Sequence, residues 1–176
     1  VHNLEVLGTH VYHVANSGLL VHNTGKGNVL PCPLTAGAKK ASSGIATGAD
    51  DALDITGKWL TEGVGGHLPK TVADKLRGRT FRNWDDFRQE FWKAVGEDKH
   101  LLSQFTQSNQ ALIKKGKSPF APKPLQHGGN MRYELHHIDP VEHGGGVFDL
   151  DNIMVLAPKT HKGIHDPQVF VPSVIP

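Results

Sequence analysis

Cysteine is nearly absent from this 176-residue chain, where Cys32 stands alone. A single thiol excludes an intrachain disulfide and a cysteine-rich zinc site. Long apolar runs are absent too: nothing approaches the roughly 20 residues needed to cross a bilayer as a helix, and the start at Val1 shows no signal-peptide pattern. A strong charge of one sign is also missing. The net charge of +2 permits a polyanionic partner without demanding one. With 38% hydrophobic and 20% charged residues, the chain reads as globular. Its length suits one domain plus an appended segment, and it reads as a fragment of something longer.

What is plentiful is histidine, 12 in all and not in a tag-like run. Four segments follow from the composition. Residues 1–23, VHNLEVLGTHVYHVANSGLLVHN, alternate Val, Leu, Tyr and His around an Asn-Ser-Gly break, the pattern of a β-hairpin. Residues 24–56 are rich in Gly, Ala, Ser and Thr without periodicity and read as a linker. Residues 57–166 carry sustained patterns, and 167–176 form a tail. In LPKTVADKLR, Pro69 suits the first turn of a short helix. In NWDDFRQEFWKAVGED, Asn83 is a good N-cap, Asp85 and Asp86 suit the first turn, and Gly96 is a plausible stop. Trp84, Phe87, Phe91 and Val95 share one face, which reads as packed core. SNQALIKKG reads as a further helix, capped by Ser108 or Asn109 and ended by Gly116.

The last third changes character: MRYELHH as a strand, VEHGGGV as a glycine loop, DNIMVLA containing a second strand, and PKTHKGIH as a short helix opened by Pro158. The fold class is therefore α+β, mostly helical around a ββα motif. On the helix, His161 and His165 lie four apart and can reach one point. An open catalytic metal site needs a third protein ligand. One member of the doublet His136–His137 can supply it from the strand. Adjacent strand residues point to opposite faces, so the other faces away and can act as a base near neutral pH. His67, His100, His127 and His143 read as ordinary exposed residues.

The run KWL, VADKLR, NWDDFRQEFW, KGKSPFAPK, YELHH and DNI, in that order, resembles the HNH endonuclease domain of the DNase colicins and S-type pyocins over about Lys58 to His165. The resemblance implies a non-specific DNA endonuclease using one metal ion. It assigns the metal ligands to His136, His161 and His165 and the general base to His137. Glu134 becomes the acidic residue that orients an active-site side chain, and Asn152 the residue that pins the glycine loop. Zn²⁺ or Ni²⁺ suits three imidazoles by affinity, and Mg²⁺ is the other candidate. One position departs from the family pattern. Asn130 stands where the family usually has arginine, so Arg132, on the same strand face by period two, is expected to take the phosphate contact. Lys and Arg only slightly outnumber Asp and Glu from Gly57 onward, so DNA affinity requires them to be clustered and will fall with salt.

The front end is similar to the C-terminal end of a Hint, or intein-like, domain. His22-Asn23-Thr24 looks like the splice junction and His10 like the histidine of the penultimate block. The block carrying the first nucleophile is missing, so no self-cleavage is expected. Together the two resemblances imply the end of an antibacterial toxin, released by a bacterial producer and acting in the cytoplasm of a target bacterium. The family's partner is a small acidic immunity protein, expected over about Gln107 to Arg132 with Phe120 as an aromatic contact. The domain is otherwise expected to be a monomer. The alternatives are an RNase on the same site and a metal-stabilised module that binds nucleic acid without cutting.

Overall fold

In this computed structural model, residues 11–14, 19–22, 38, 41–50, 52–60 and 65–166 are described. The chain divides into a small unit that begins at Val1 and runs to Cys32 and a larger one running from Pro33 to Val174. In the small unit, β1 (Val11–Val14) and β2 (Leu19–His22) pair antiparallel, from Val11 opposite His22 to Val14 opposite Leu19. Of the intein-like junction, His10, Asn23 and Thr24 lie outside the described residues.

In the larger unit the elements run β3 (Gly44–Ile45), β4 (Gly65–His67), α1 (Lys70–Leu76), β5 (Thr80–Phe81), α2 (Trp84–Glu97), α3 (Lys99–Ser103), α4 (Gln107–Ile113), β6 (Glu134–His137), β7 (Ile153–Leu156) and α5 (Pro158–His165). It is an α+β fold with two small antiparallel sheets. One pairs β3 with β5; the other has the order β4–β7–β6, with β7 central.

The helix α2 organises the core. Asn83 is extended and its side chain accepts the Asp86 N–H at 2.8 Å, satisfying one of the free donors of the first turn. The buried face carries Trp84, Phe87, Phe91, Trp92 and Val95. Phe87 meets Phe81 edge-on at 5.0 Å and stacks on Trp84 at 5.1 Å, and Phe148 closes over it at 5.7 Å. That cluster ties the first sheet, α2 and the loop before β7 to one another.

The structure departs from the sequence reading at several boundaries. Gly96 does not stop α2, which runs on to Glu97. Asp98 then caps the separate helix α3, accepting the N–H groups of His100 and Leu101. α4 is capped by Thr106, two residues before Ser108 and three before Asn109, which are both inside the helix. Pro69 is the capping residue before α1 rather than its first helical residue.

The larger correction concerns residues 44–56, the latter part of the segment 24–56 read as a linker; residues 24–37 lie outside the described ones. Gly44 pairs with Phe81, Thr47 donates its N–H to Phe148 O at 3.1 Å, and Ala46 and Ala49 are buried. The small residues are there for close approach: a Cβ on Gly44 would meet the Phe148 ring at 2.8 Å. Strands of two residues leave no periodicity to detect, so packed backbone and linker share one composition. Phe87→Ala should lower the free energy of urea unfolding by about 3–5 kcal/mol, because the cluster cannot close over the lost ring.

Candidate active site

Strand alternation sorts the doublet. Along β6, Leu135 and His137 are buried while Glu134 and His136 are half-buried on the opposite face. That second face meets α5. Its two histidines stand four apart, with His161 Nε2 and His165 Nε2 at 3.2 Å. The His136 ring lies 4.8 Å from that of His161 and 5.4 Å from that of His165. One nitrogen from each of the three falls within 4.8 Å of the others. Glu134 accepts a hydrogen bond from His161 Nδ1, so the Nε2 lone pair faces the cluster. Burial, then the neighbouring His161 and Lys162, hold the His165 imidazole below its ordinary pKa. This favours the neutral form, the one that ligates metals. Three converging imidazoles backed by a carboxylate fit one divalent ion of borderline softness with a coordination position left open.

His137 occupies the other face. Its Nε2 is 2.9 Å from Val147 O. A carbonyl only accepts, so Nε2 carries the proton and Nδ1 is the basic nitrogen. The ring lies 4.5 Å from Trp84 and is 4% exposed, which limits its rotation. The carbonyl that fixes it belongs to the glycine loop, and Asn152 holds that loop. Asn152 Oδ1 accepts the Asp139 N–H at 2.6 Å, and its Nδ2 donates to Asp139 O at 3.1 Å and Gly146 O at 3.2 Å. Gly145 has no room for a side chain, since a Cβ would lie 2.1 Å from Asp139 O.

Arg132 does not join this site. The expectation assumed that period-two alternation runs back to Asn130, but β6 begins at Glu134. Asn130 and Arg132 sit in isolated bridges to different partners, His127 and Phe120. Arg132 donates to Ser118 O at 2.7 Å, and its guanidinium lies 4.2 Å from the Phe120 ring centre. It lines a neighbouring groove with Arg82, Lys115 and Lys117, whereas Asn130 lines the histidine pocket. Sequence reasoning missed Arg88 and His127, which line that pocket of about 500 Å³. The available signal for Arg88 was its place on the polar side of α2, three residues after Asp85, to which it donates at 3.2 Å. A larger cavity of about 1230 Å³ shares no lining residue with the pocket and carries Phe105, Asn109, Phe120, Leu125 and Tyr133.

An antiparallel strand pair followed by a helix, with histidines from both closing on one point and a further histidine on the ribbon's reverse face, is the arrangement of a ββα-metal nuclease. Comparison with known proteins gives the family. The profile described as "Colicin/Pyocin-S2, DNase domain" matches residues 44–166, and the chain belongs to that family. It is 46% identical to Colicin-E2 of Escherichia coli and 41% identical to Pyocin-S1 of Pseudomonas aeruginosa, each over 125 residues, or 69% of this chain. The matched segments make up only 21% and 20% of those proteins. Among solved structures, the pyocin AP41 DNase–immunity complex matches with a TM-score of 0.67 and 36% identity, covering 72% of this chain and 99% of that one. The mutant nuclease domain of pyocin S8 with its cognate immunity protein matches at 0.64 and 41%, covering 68% and 97%. The profile begins at Gly44, where β3 begins.

Glu134→Gln should weaken Zn²⁺ binding about 10–100-fold by releasing His161 from its orientation. Competition against a chromophoric chelator reads this directly.

Proposed function

We propose that this chain is the nuclease domain of an antibacterial toxin and cuts DNA without sequence preference, using one divalent ion. The observation that carries the reading is the division of the doublet: His136 faces His161 and His165, while His137 faces away with Nε2 tied to Val147 O. In this reading His136, His161 and His165 hold the ion, Zn²⁺, Ni²⁺ or Mg²⁺. When bound, the ion supplies positive charge for the crowded phosphate and the leaving 3′ oxygen. His137 takes the proton from the attacking water at Nδ1, with Nε2 already committed to the loop carbonyl. Trp84 and Val147 keep its ring in one orientation. Glu134 acts through His161 and Asn152 through the loop, so both are positioning residues. Arg88, at the pocket wall, can contact a phosphate of the bound strand.

The partner reading follows the named relatives. Two similar structures are complexes with immunity proteins, and we assign a small acidic immunity protein to the surface from Gln107 to Arg132. Phe120 is 38% exposed, and its backbone is clamped by Asn109, which accepts from Phe120 N at 2.9 Å and donates to Phe120 O at 3.0 Å. A rigid exposed aromatic beside an apolar cavity suits an interface anchor. The producer would be a bacterium and the place of action the cytoplasm of its target. Among the described residues no helix is long and apolar enough to cross a membrane. Residues 1–23 are read as the C-terminal end of a Hint domain.

Plasmid nicking tests the main reading. With Mg²⁺, Ni²⁺ or Zn²⁺ the chain should nick and then linearise plasmid DNA, and EDTA should stop it. Total RNA should survive the same treatment. His137→Ala should cut about 10²–10⁴-fold more slowly while Zn²⁺ affinity is unchanged. Cutting at the parental rate would remove His137 from its role. For the partner, Phe120→Ala should weaken immunity-protein binding by about 2 kcal/mol or more, roughly 30-fold, in calorimetry, with nicking unaffected.

A further inference from the structure

We infer that His127, with Asn130 beside it, is a substrate-contacting residue that holds a backbone phosphate neighbouring the one being cut. The inference rests on the nuclease reading above. His127 N donates to Asn130 O at 3.1 Å, and Asn130 N donates to His127 O at 3.0 Å. Gly128 and Gly129 make the two-residue turn between them, Gly128 at φ +57°. Residues that exchange both backbone bonds stand opposite each other and project their side chains on one face of the ribbon. That shared face borders the pocket of Glu134, His161 and His165, which both residues line.

The cationic side chains of the pocket each already hold one partner, with Arg88 keeping N–H donors to spare. Arg88 donates to Asp85, and Lys162 pairs with Asp166 at 3.2 Å. Glu134 is taken by His161, which leaves the carboxylate satisfied rather than competing for a new donor. Arg132 lines the neighbouring groove. The side chains of His127 and Asn130 are exposed and have no hydrogen-bond or ion-pair partner among the described residues. An imidazole keeps at least one N–H donor in every protonation state, and the Asn amide offers two more. A phosphate oxygen has the matching chemistry, since it only accepts. The tight turn fixes the donors before the substrate arrives, which reduces the ordering cost of binding. The exposure that suggests an ordinary surface histidine is what a phosphate-binding residue at a pocket rim requires.

The test uses steady-state cleavage of a duplex oligonucleotide by the whole chain with Mg²⁺. His127→Ala should raise KM about tenfold, as expected for one lost phosphate contact, with kcat within about threefold. Adding Asn130→Arg to that variant should return KM to near the parental value, because residue 130 projects into the same space. Zn²⁺ affinity, measured separately, should not move in either variant. Parental KM in His127→Ala overturns the inference while leaving the nuclease reading intact. A raised KM that Asn130→Arg fails to reverse also overturns it, since the effect would then come from the turn rather than from a donor at this position. A parent chain that cuts no DNA with any metal removes the nuclease reading and this inference with it.

Discussion

The pairing of β6 with β7 is the constraint on which the rest of the site depends. Its register places His136 opposite Met154 and His137 opposite Ile153. A slip of one residue would exchange the faces of every side chain on the strand. His137 would then meet α5 and His136 would be driven against Trp84. Leu135 and His137 are buried on one side of β6, and Ile153, Val155 and Leu156 are buried on β7, so the apolar pattern of both strands opposes such a slip. The faces that carry His136 and His137 are thus specified by ordinary core packing. The loop joining the strands would gain freedom from its glycines, but Asn152 closes it with three hydrogen bonds to Asp139 and Gly146. Register and loop closure together locate Val147 O, and Val147 O sets which nitrogen of His137 is basic.

The histidine pocket carries a cost that the core must offset. Three imidazole rings within about 5.5 Å of one another gain little apolar burial. Such local conflict is expected where a chain is arranged for chemistry rather than stability. The compensation lies beside it. Trp84 packs against both His137 and Phe87, so the aromatic cluster that stabilises α2 also holds the His137 ring. Helix α2 therefore serves both stability and geometry, with Arg88 on its pocket side and Phe87 and Phe91 fully buried on its core side.

The legible parts of the sequence were those with a period. The α2 stripe and its Asn83 cap, the strand alternation at Glu134–His137 and the four-residue spacing of His161 and His165 are local patterns, and the structure contains each of them. The histidine cluster was readable because a helical pair needs only one more donor on a neighbouring strand. What could not be read depended on partners far along the chain. Residues 44–56 looked like a linker because their packing is set by Phe81, Phe148 and Leu68, not by their own spacing. Arg132 was placed on the histidine-pocket face because the strand alternation was carried back to Asn130, four residues before β6 begins at Glu134. At Phe120 the chain instead meets Arg132 through a single bridge, and Ser118 O captures the guanidinium. Gly96 misled for a different reason: glycine ends helices by adopting positive φ, and Gly96 does not adopt it.

Arg132 also explains how one small fold keeps two surfaces separate. Its guanidinium covers the Phe120 ring on one side and borders the basic groove on the other, so it forms the wall between them. Phe120 is held three ways, by the cation above its ring and by both backbone bonds to Asn109. An aromatic fixed in this manner loses little entropy when a partner covers it. The histidine pocket shares no lining residue with the cavity beside Phe120. Partner contacts can therefore diversify around Phe120 without disturbing His136, His137, His161 or His165. A charge at position 132, rather than an apolar side chain, asks for a complementary carboxylate on whatever docks there.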